Sequence, residues 1–577
     1  MERNTCNVVV LLLAGMILLL AAGCSGSAGR DATDGDDARI RWRDRGLERM
    51  LREYLDKPSG AVYRSELGGI ASLRIVDSDI QHPGESNEAF AARLQAKKAA
   101  GQQPGDNMER KIYYLDDLVY FKDLTSLTVE NGWLDNIDAV REMPGLTVLE
   151  IKSSHLEDIS ALDGLTNLTG LNIKDNGAFS LEPLSSLTGL QELDLSLCGQ
   201  SKNPLDLAPL ASLTNLKKLN LQSSYIKSYA PLAGLTGLRE LRAGLNDLTP
   251  LAGLTGLELL DITVKTGGAQ QLTDLGPLAG LKKLKSLQLR LGRIGDLGPL
   301  AALTALESLS LENCYVRDLG PLAGLTGLKL LNLRDNQITR LDPLAGLRQL
   351  ERLDLRQNRL RDLRPLAGLN SLAVLDLSDN PSLSSLSPLA GLPNLTTLEL
   401  NFIRSNNFAA LGQIPRLEYL SLQRNRISNL SSLAGLIAVK TIILDENEIS
   451  DLSPLAGLTE LSTLSLNHNR ISDFSPLAAL TGLHSLSLDG NEISDLNSMT
   501  ALSGLTGLDT LSLNSNRIRN LSPLAGLTGL QTLSLGSNLI ENISPLAGLT
   551  ELSFLDLKGN PHIEDMSPAA HVATVVK

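Results

Sequence analysis

Histidine and cysteine are the side chains best suited to metal or nucleophilic chemistry in this sequence, and neither is placed for it. His468 and His484 are the nearest histidine pair in a frame that repeats along the chain. They fall at the eighth position of one unit and the second of the next, at opposite ends of their expected strands. A shared metal, or a base with its orienting partner, needs both rings at one point. Asp489-Gly490-Asn491 has a passing likeness to a calcium loop, but the remaining ligands are missing. Cys198 and Cys314 both stand at the ninth position of their units, five units apart. At about 4.8 Å per strand that is roughly 24 Å, which excludes a disulfide. Both read as buried structural thiols. Triplets such as Asn429-Leu430-Ser431 arise from the repeat itself. There is no nucleophile elbow, phosphate loop or paired-carboxylate pattern, so the expectation is no enzyme, no cofactor and no metal.

The elements that would position any functional group come from the repeat. Residues 328–349 read LKLLNLRDNQITRLDPLAGLRQ and 350–371 read LERLDLRQNRLRDLRPLAGLNS. Units on this frame begin at 124, 146, 168, 190, 216, 238, 257, 284, 306, 328, 350, 372, 395, 417, 439, 461, 483, 508, 530 and 552. Fourteen of the nineteen intervals are 22 residues, and a fixed period in this range specifies a solenoid. Within a unit, Leu353 and Leu355 share the inward face of an extended segment because side chains alternate with period two. Asn358, at the ninth position, can use its amide to bond backbone groups where the chain leaves the strand. In the return segment Ile449–Leu458, proline and glycine lie close together, which disfavours a regular helix and predicts short 3₁₀ or extended turns. No unit can bury its leucines alone, so stacking creates the core.

Function must then lie in the outward columns, the second, third, fifth, seventh, eighth and tenth positions. From 284 to 551 these hold 14 Lys or Arg and 15 Asp or Glu. Nucleic acid asks for a basic stripe, whereas this surface is mixed and the chain carries a formal charge of −13. A protein partner suits the mixture. The richest neighbourhood is Arg334, Arg356 and Arg359, followed by Glu399, Phe402 and Arg404, then Tyr419, Arg424 and Arg426. Arginine and tyrosine are enriched at binding hot spots, and these residues are expected on adjacent strands. An aromatic content of 3% argues against a sugar-stacking groove. The other reading of these arginines is a well-solvated open sheet face.

The chain begins as an exported one would. Residues 1–23 carry Arg3, the apolar run Val8–Ala22 and a small-residue site, too short and too near the terminus for a spanning helix. Ala21-Ala22-Gly23-Cys24, with Leu20 ahead, resembles the lipobox of bacterial lipoproteins. That resemblance implies cleavage before Cys24 and a diacylglycerol on its sulfur, hence a membrane anchor. The alternative is an ordinary secretory signal with an incidental cysteine. Residues 24–41 are polar and have almost nothing to bury, as suits a flexible tether.

Residues 42–69 place Leu47, Met50, Leu51, Tyr54 and Leu55 on one helical stripe that would cover the open end of the first unit. Residues 70–123 form a first repeat with an inserted segment. Its NEAFAARLQAKKAAGQ stretch at 87–102 predicts a short helix, either a plain surface insertion or a partner-binding protrusion. The array runs over 124–565, and 566–577 is a tail or partial repeat.

The unit L-x-x-L-x-L-x-x-N-x-I-x-D-L-x-P-L-A-G-L-T-x resembles the leucine-rich repeats of bacterial surface proteins, the internalin-like group. The resemblance implies a horseshoe solenoid with a parallel concave β-sheet, a convex side of 3₁₀ and extended turns, and an N-terminal helical cap. Taken with the lipobox-like Cys24 and the mixed charge of the outward columns, the expectation is a lipid-anchored extracytoplasmic protein, at the bacterial cell surface or envelope, that binds a protein partner on its concave face. The alternative is a structural or self-associating envelope component.

Overall fold

The computed structural model describes residues 39–577 apart from Ser78, 100–111, 264–270 and Asn406. The signal 1–23, Cys24 and most of the tether 24–41 lie outside the described residues, as do part of the insertion after Ala99 and part of the irregular unit at 257.

The described residues form one 23-stranded sheet. Ser72–Val76 pairs in parallel with Ser126–Glu130, and each later strand pairs in parallel with the next, through Phe554–Asp556 to Thr574–Val576. Register follows the leucine frame: Leu331, Leu353, Leu375, Leu398 and Leu420 stand side by side. The short strand Asp79–Ile80 folds back antiparallel on Ile75 and Val76.

The leucines of every unit merge into one core cluster running from Ile40 to Val572. Leu353, Leu355, Leu375 and Leu398 are fully buried, each worth about 1.5–3 kcal/mol relative to exposure. The return segments are short 3₁₀ helices such as Ser453–Leu455, with proline just inside the start. Asp451 Oδ1 accepts the Ser453 N–H at 2.9 Å, which holds the entry to that turn. The irregular units at 190 and 483 spend their extra residues outside the sheet. Gln200 and Asn203 form an isolated antiparallel bridge beside a strand exit, and Asn497–Gly504 lengthens a convex 3₁₀ helix.

At the N-terminal end, the helix Arg45–Tyr54 buries Leu47, Met50 and Leu51. Tyr54 and Leu55 pack at the margin of the same core. Asp44 caps the helix, accepting from the Leu47 N–H at 2.9 Å. The helix Asn87–Ala99 buries Phe90 and is held mainly by charge: Arg93 bridges Asp79 at 3.0 Å and Glu85 at 2.9 Å.

Candidate functional site

The outer surface of the sheet side divides into three rows, and the ninth-position asparagine is what separates them. Asn358 Nδ2 donates to Leu333 O at 2.9 Å and Leu355 O at 3.0 Å, while its Oδ1 accepts the Ile338 N–H at 3.0 Å. The same arrangement recurs at Asn336, Asn380, Asn425, Asn447, Asn469, Asn491, Asn516, Asn538 and Asn560. Cys198 and Cys314 take the same place, with Sγ 3.1 Å from Ile173 O and 3.4 Å from Leu289 O. Both thiols are free, and burial pushes them up to about 11.

Gathering backbone onto that amide ends the strand early and turns the residue before it left-handed. Asp335, Gln357, Asp379, Arg424 and Glu446, each before such an asparagine, have φ between 55° and 60°, and Phe402, before Ile403, has φ of 55° as well. Such a conformation costs a non-glycine residue about 1–2 kcal/mol, which the asparagine bonds offset.

This corrects one expectation. The strands in this region are three residues long, such as Thr397–Glu399 and Tyr419–Ser421. Of the nine residues expected on adjacent strands, only Glu399 and Tyr419 lie on them, on the concave floor. Arg334 and Arg356 stand two residues past their strands, and Phe402 and Arg424 lie in the exit turns. Arg359, Arg404 and Arg426 lie further out, as an exposed ridge. Adjacent strands thus bring Glu399 and Tyr419 together on the floor, and adjacent turns bring Arg404 and Arg426 together on the ridge.

The floor is acidic at its centre. Asp354, Asp376 and Glu399 stand side by side on adjacent strands, and Arg352, Val374, Thr397 and Tyr419 form the parallel row. Partial burial raises the pKa of Asp354, and burial together with the Asp376 charge raises that of Glu399. Burial, then Glu399, raises that of Tyr419. Part of this acidity is structural: Asp354 Oδ1 accepts the Arg356 N–H at 3.0 Å and Asp376 Oδ1 accepts the Ser378 N–H at 2.8 Å.

From Asn401 onward the capping moves to the seventh position. Asp445 Oδ1 accepts Ser465 Oγ at 2.6 Å and the Asn467 N–H at 2.8 Å, and Asn467 Oδ1 repeats this with Ser487 and Asp489. Asp489 does the same for Ser512 and Asn514, so its carboxylate is engaged in this ladder. Two of the expected site arginines are paired internally: Arg356 with Asp379 at 3.0 Å and Arg424 with Glu446 at 2.6 Å.

His468 sits on an exit turn, while His484 lies at a strand entry with Nδ1 2.7 Å from Gly482 O. Among the described residues no group of three or more His, Cys, Asp or Glu is placed to hold a metal, and no helix is long and apolar enough to cross a membrane.

Two surface features escaped the sequence reading. A hollow of about 490 Å³ opens on the floor around Gly170, bordered by Glu150, Asp194, Arg242 and the Lys218–Glu192 pair at 2.8 Å. The signal was a glycine at a third position, where neighbouring units carry bulkier side chains. Several tenth positions also meet those of the neighbouring unit, forming stretches of ridge. Trp133 meets His155 with ring centroids 4.6 Å apart, and Arg293 lies 5.3 Å from the Tyr315 ring. Farther along, Arg470 bridges Glu448 at 3.2 Å and Arg517 bridges Glu492 at 2.9 Å.

A repeat family described as Leucine Rich repeats (2 copies) matches residues 326–368, 437–479, 459–504, 506–548 and 528–571, and one described as Leucine rich repeat matches 348–408. The chain is a leucine-rich-repeat protein. Both matches fall on repeats, and neither is to an enzyme family. Among solved structures, this leucine-rich-repeat chain is similar to a plant peptide hormone receptor in complex with RGF2: 19% identity, 80% of this chain and 84% of that one covered, TM-score 0.50. An internalin from Listeria monocytogenes is 22% identical over 89% of this chain and 94% of its own, TM-score 0.27. A Listeria monocytogenes internalin C2 is 32% identical over 41% of this chain and 83% of its own, TM-score 0.24. The receptor likeness speaks to the fold alone, and at TM-scores this low the internalins add no argument. No curated protein matches the chain.

Proposed function

We propose that this chain is a lipid-anchored extracytoplasmic protein that binds a protein partner on its concave face, around Glu399 and Tyr419 and the arginines beside them. The observation that carries the reading is the floor between Arg352 and Tyr419. There a half-buried tyrosine and carboxyls of raised pKa lie on a rigid sheet among exposed arginines, the composition and preorganisation that binding hot spots favour. The plant receptor solved in complex with RGF2 supports it by showing this kind of solenoid holding a ligand. The anchor rests on Cys24 and the apolar run before it.

Capture of a partner from surface extracts by the full chain, compared with an Arg356/Tyr419/Arg424 triple-alanine variant, tests the site. Loss of one captured band supports it, and equal capture by a folded variant refutes it. Labelling with a palmitate analogue tests the anchor, which requires loss of label in Cys24→Ala.

A second reading, a self-associating envelope component, draws on the strand Thr574–Val576, which pairs on one side with Phe554–Asp556 among the described residues. Concentration-dependent sedimentation that disappears on removing the residues after Leu552 favours it over the first.

A further inference from the structure

The ridge of tenth positions changes character in the middle of the array. From Glu448 onward its charges are matched within the ridge, Glu448 with Arg470 and Glu492 with Arg517. Earlier, Arg293 rests on Tyr315. Between them come Arg359, Arg404 and Arg426, all exposed, and none of the three has a carboxylate within ion-pair distance among the described residues. Arg404 and Arg426 occupy neighbouring turns, both left-handed with φ of 55° and 58°, so their side chains leave the backbone in the same way about 4.8 Å apart. The Arg404 guanidinium lies over the Phe402 ring at 4.8 Å, which steadies it at little entropic cost.

Charge reinforces this contrast. Residues 328–438 hold 13 Lys or Arg against 9 Asp or Glu, whereas the rest of the chain holds 39 against 56. Several of those nine carboxylates are already engaged: Asp354 and Asp376 cap backbone, and Asp379 faces Arg356. Two like charges held side by side without a counter-charge repel each other, and an incoming anion relieves that repulsion.

We infer that the ridge at Arg359, Arg404 and Arg426 receives an acidic segment of the partner, whose carboxylates take charge-assisted hydrogen bonds from the guanidinium groups. This rests on the partner-binding reading above and adds the chemistry of the bound segment. An acidic polypeptide fits better than a nucleic acid, because the floor directly alongside carries Asp354, Asp376 and Glu399 and would repel a continuous phosphate backbone.

Fluorescence anisotropy with a labelled peptide of alternating aspartate and serine tests this on the full chain. A single-stranded oligonucleotide and a serine–glycine peptide serve as comparison probes. Binding of the acidic peptide that weakens about tenfold in an Arg404→Glu/Arg426→Glu variant, and with added salt, but is unchanged in Arg517→Ala, supports the inference. Circular dichroism checks that the variants stay folded. Equal binding by wild type and the double variant overturns it. So does no binding of the acidic peptide, or tighter binding of the oligonucleotide. If the acidic peptide fails while the Arg356/Tyr419/Arg424 triple-alanine variant still loses the captured partner, the inference falls and the proposed function stands.

Discussion

Replacing Asn358 by alanine isolates what the asparagine ladder contributes, because neighbouring asparagines share the load. Leu333 O keeps a bond from Asn336 Nδ2 at 2.9 Å, and Leu355 O keeps one from Asn380 Nδ2 at 3.0 Å. The Ile338 N–H is different: its acceptor is Asn358 Oδ1, and nothing replaces it. Leaving one buried N–H unsatisfied costs about 1–3 kcal/mol. Halving the donors to two buried carbonyls adds about 1 kcal/mol, for an expected loss of about 2–4 kcal/mol. Asn358→Ser should cost somewhat less, since Ser224 shows a hydroxyl at the equivalent place donating to Leu195 O at 2.6 Å, the counterpart of Leu333 O; the N–H it accepts, that of Cys198 at 3.3 Å, is a ninth-position one, so the Ile338 N–H stays unserved. Asn358→Asp should cost the most, because a buried carboxylate would face the carbonyls that the amide now serves. Urea unfolding gives the ranking. Hydrogen exchange locates the damage, which in a solenoid should stay within the units around 333–360. An alanine variant losing less than about 0.5 kcal/mol, or aspartate no worse than serine, would refute the reasoning.

Two further outcomes are expected. Cys198 and Cys314, with thiols pushed up to about 11 by burial, should resist thiol reagents in the native protein near neutral pH and react once the chain is unfolded; rapid native labelling of either would contradict their placement. On the floor, the carboxyls of Asp354 and Glu399 have folded pKa values above their unfolded ones. The folded state therefore binds more protons, and stability should fall as pH rises from the ordinary carboxylate range through those raised values. Asp376→Asn removes the like charge between them. It should flatten that fall and raise stability near neutrality by about 0.2–1 kcal/mol, read from melting temperature against pH; a steeper fall would overturn the assignment.

The leucine frame, the ninth-position asparagine and the 3₁₀ return segments were legible because each is fixed by a local rule repeated many times over. Leu353 and Leu355 must face the same way, Asn358 has an amide and an unfilled turn beside it, and Pro454 and Gly457 so close together disfavour a regular α-helix. The display surface was less legible. Counting Phe402, Arg404, Arg424 and Arg426 as strand residues assumed that the strand continues past its fifth position. The Asn425 amide instead pulls the backbone at Arg424 into a left-handed turn and accepts the Ile403 N–H of the preceding unit, where Phe402 and Arg404 are left-handed too, so those side chains leave in another direction. Asp354 and Asp376 looked like free surface charge, and only the geometry of the following N–H groups reveals them as caps. The hollow at Gly170 depends on what neighbouring units lack, which no single unit records.

The same bonds that build the solenoid therefore decide which of its polar groups can act. On the floor of the C-terminal half, Asn401, Asp445, Asn467 and Asp489 are each engaged with the next strand, so they are poor candidates for contacts with anything else. Substituting them should cost stability before it costs recognition. The ridge stands outside the ladder's reach, and there a residue can change from Tyr315 to Arg404 to Glu448 from unit to unit without disturbing a backbone hydrogen bond made by its side chain. A solenoid organised in this way can vary its partner along the ridge while its floor stays fixed by folding. On the inference drawn above, the unmatched arginines there would add the chemistry of the bound segment to the contacts proposed for the floor.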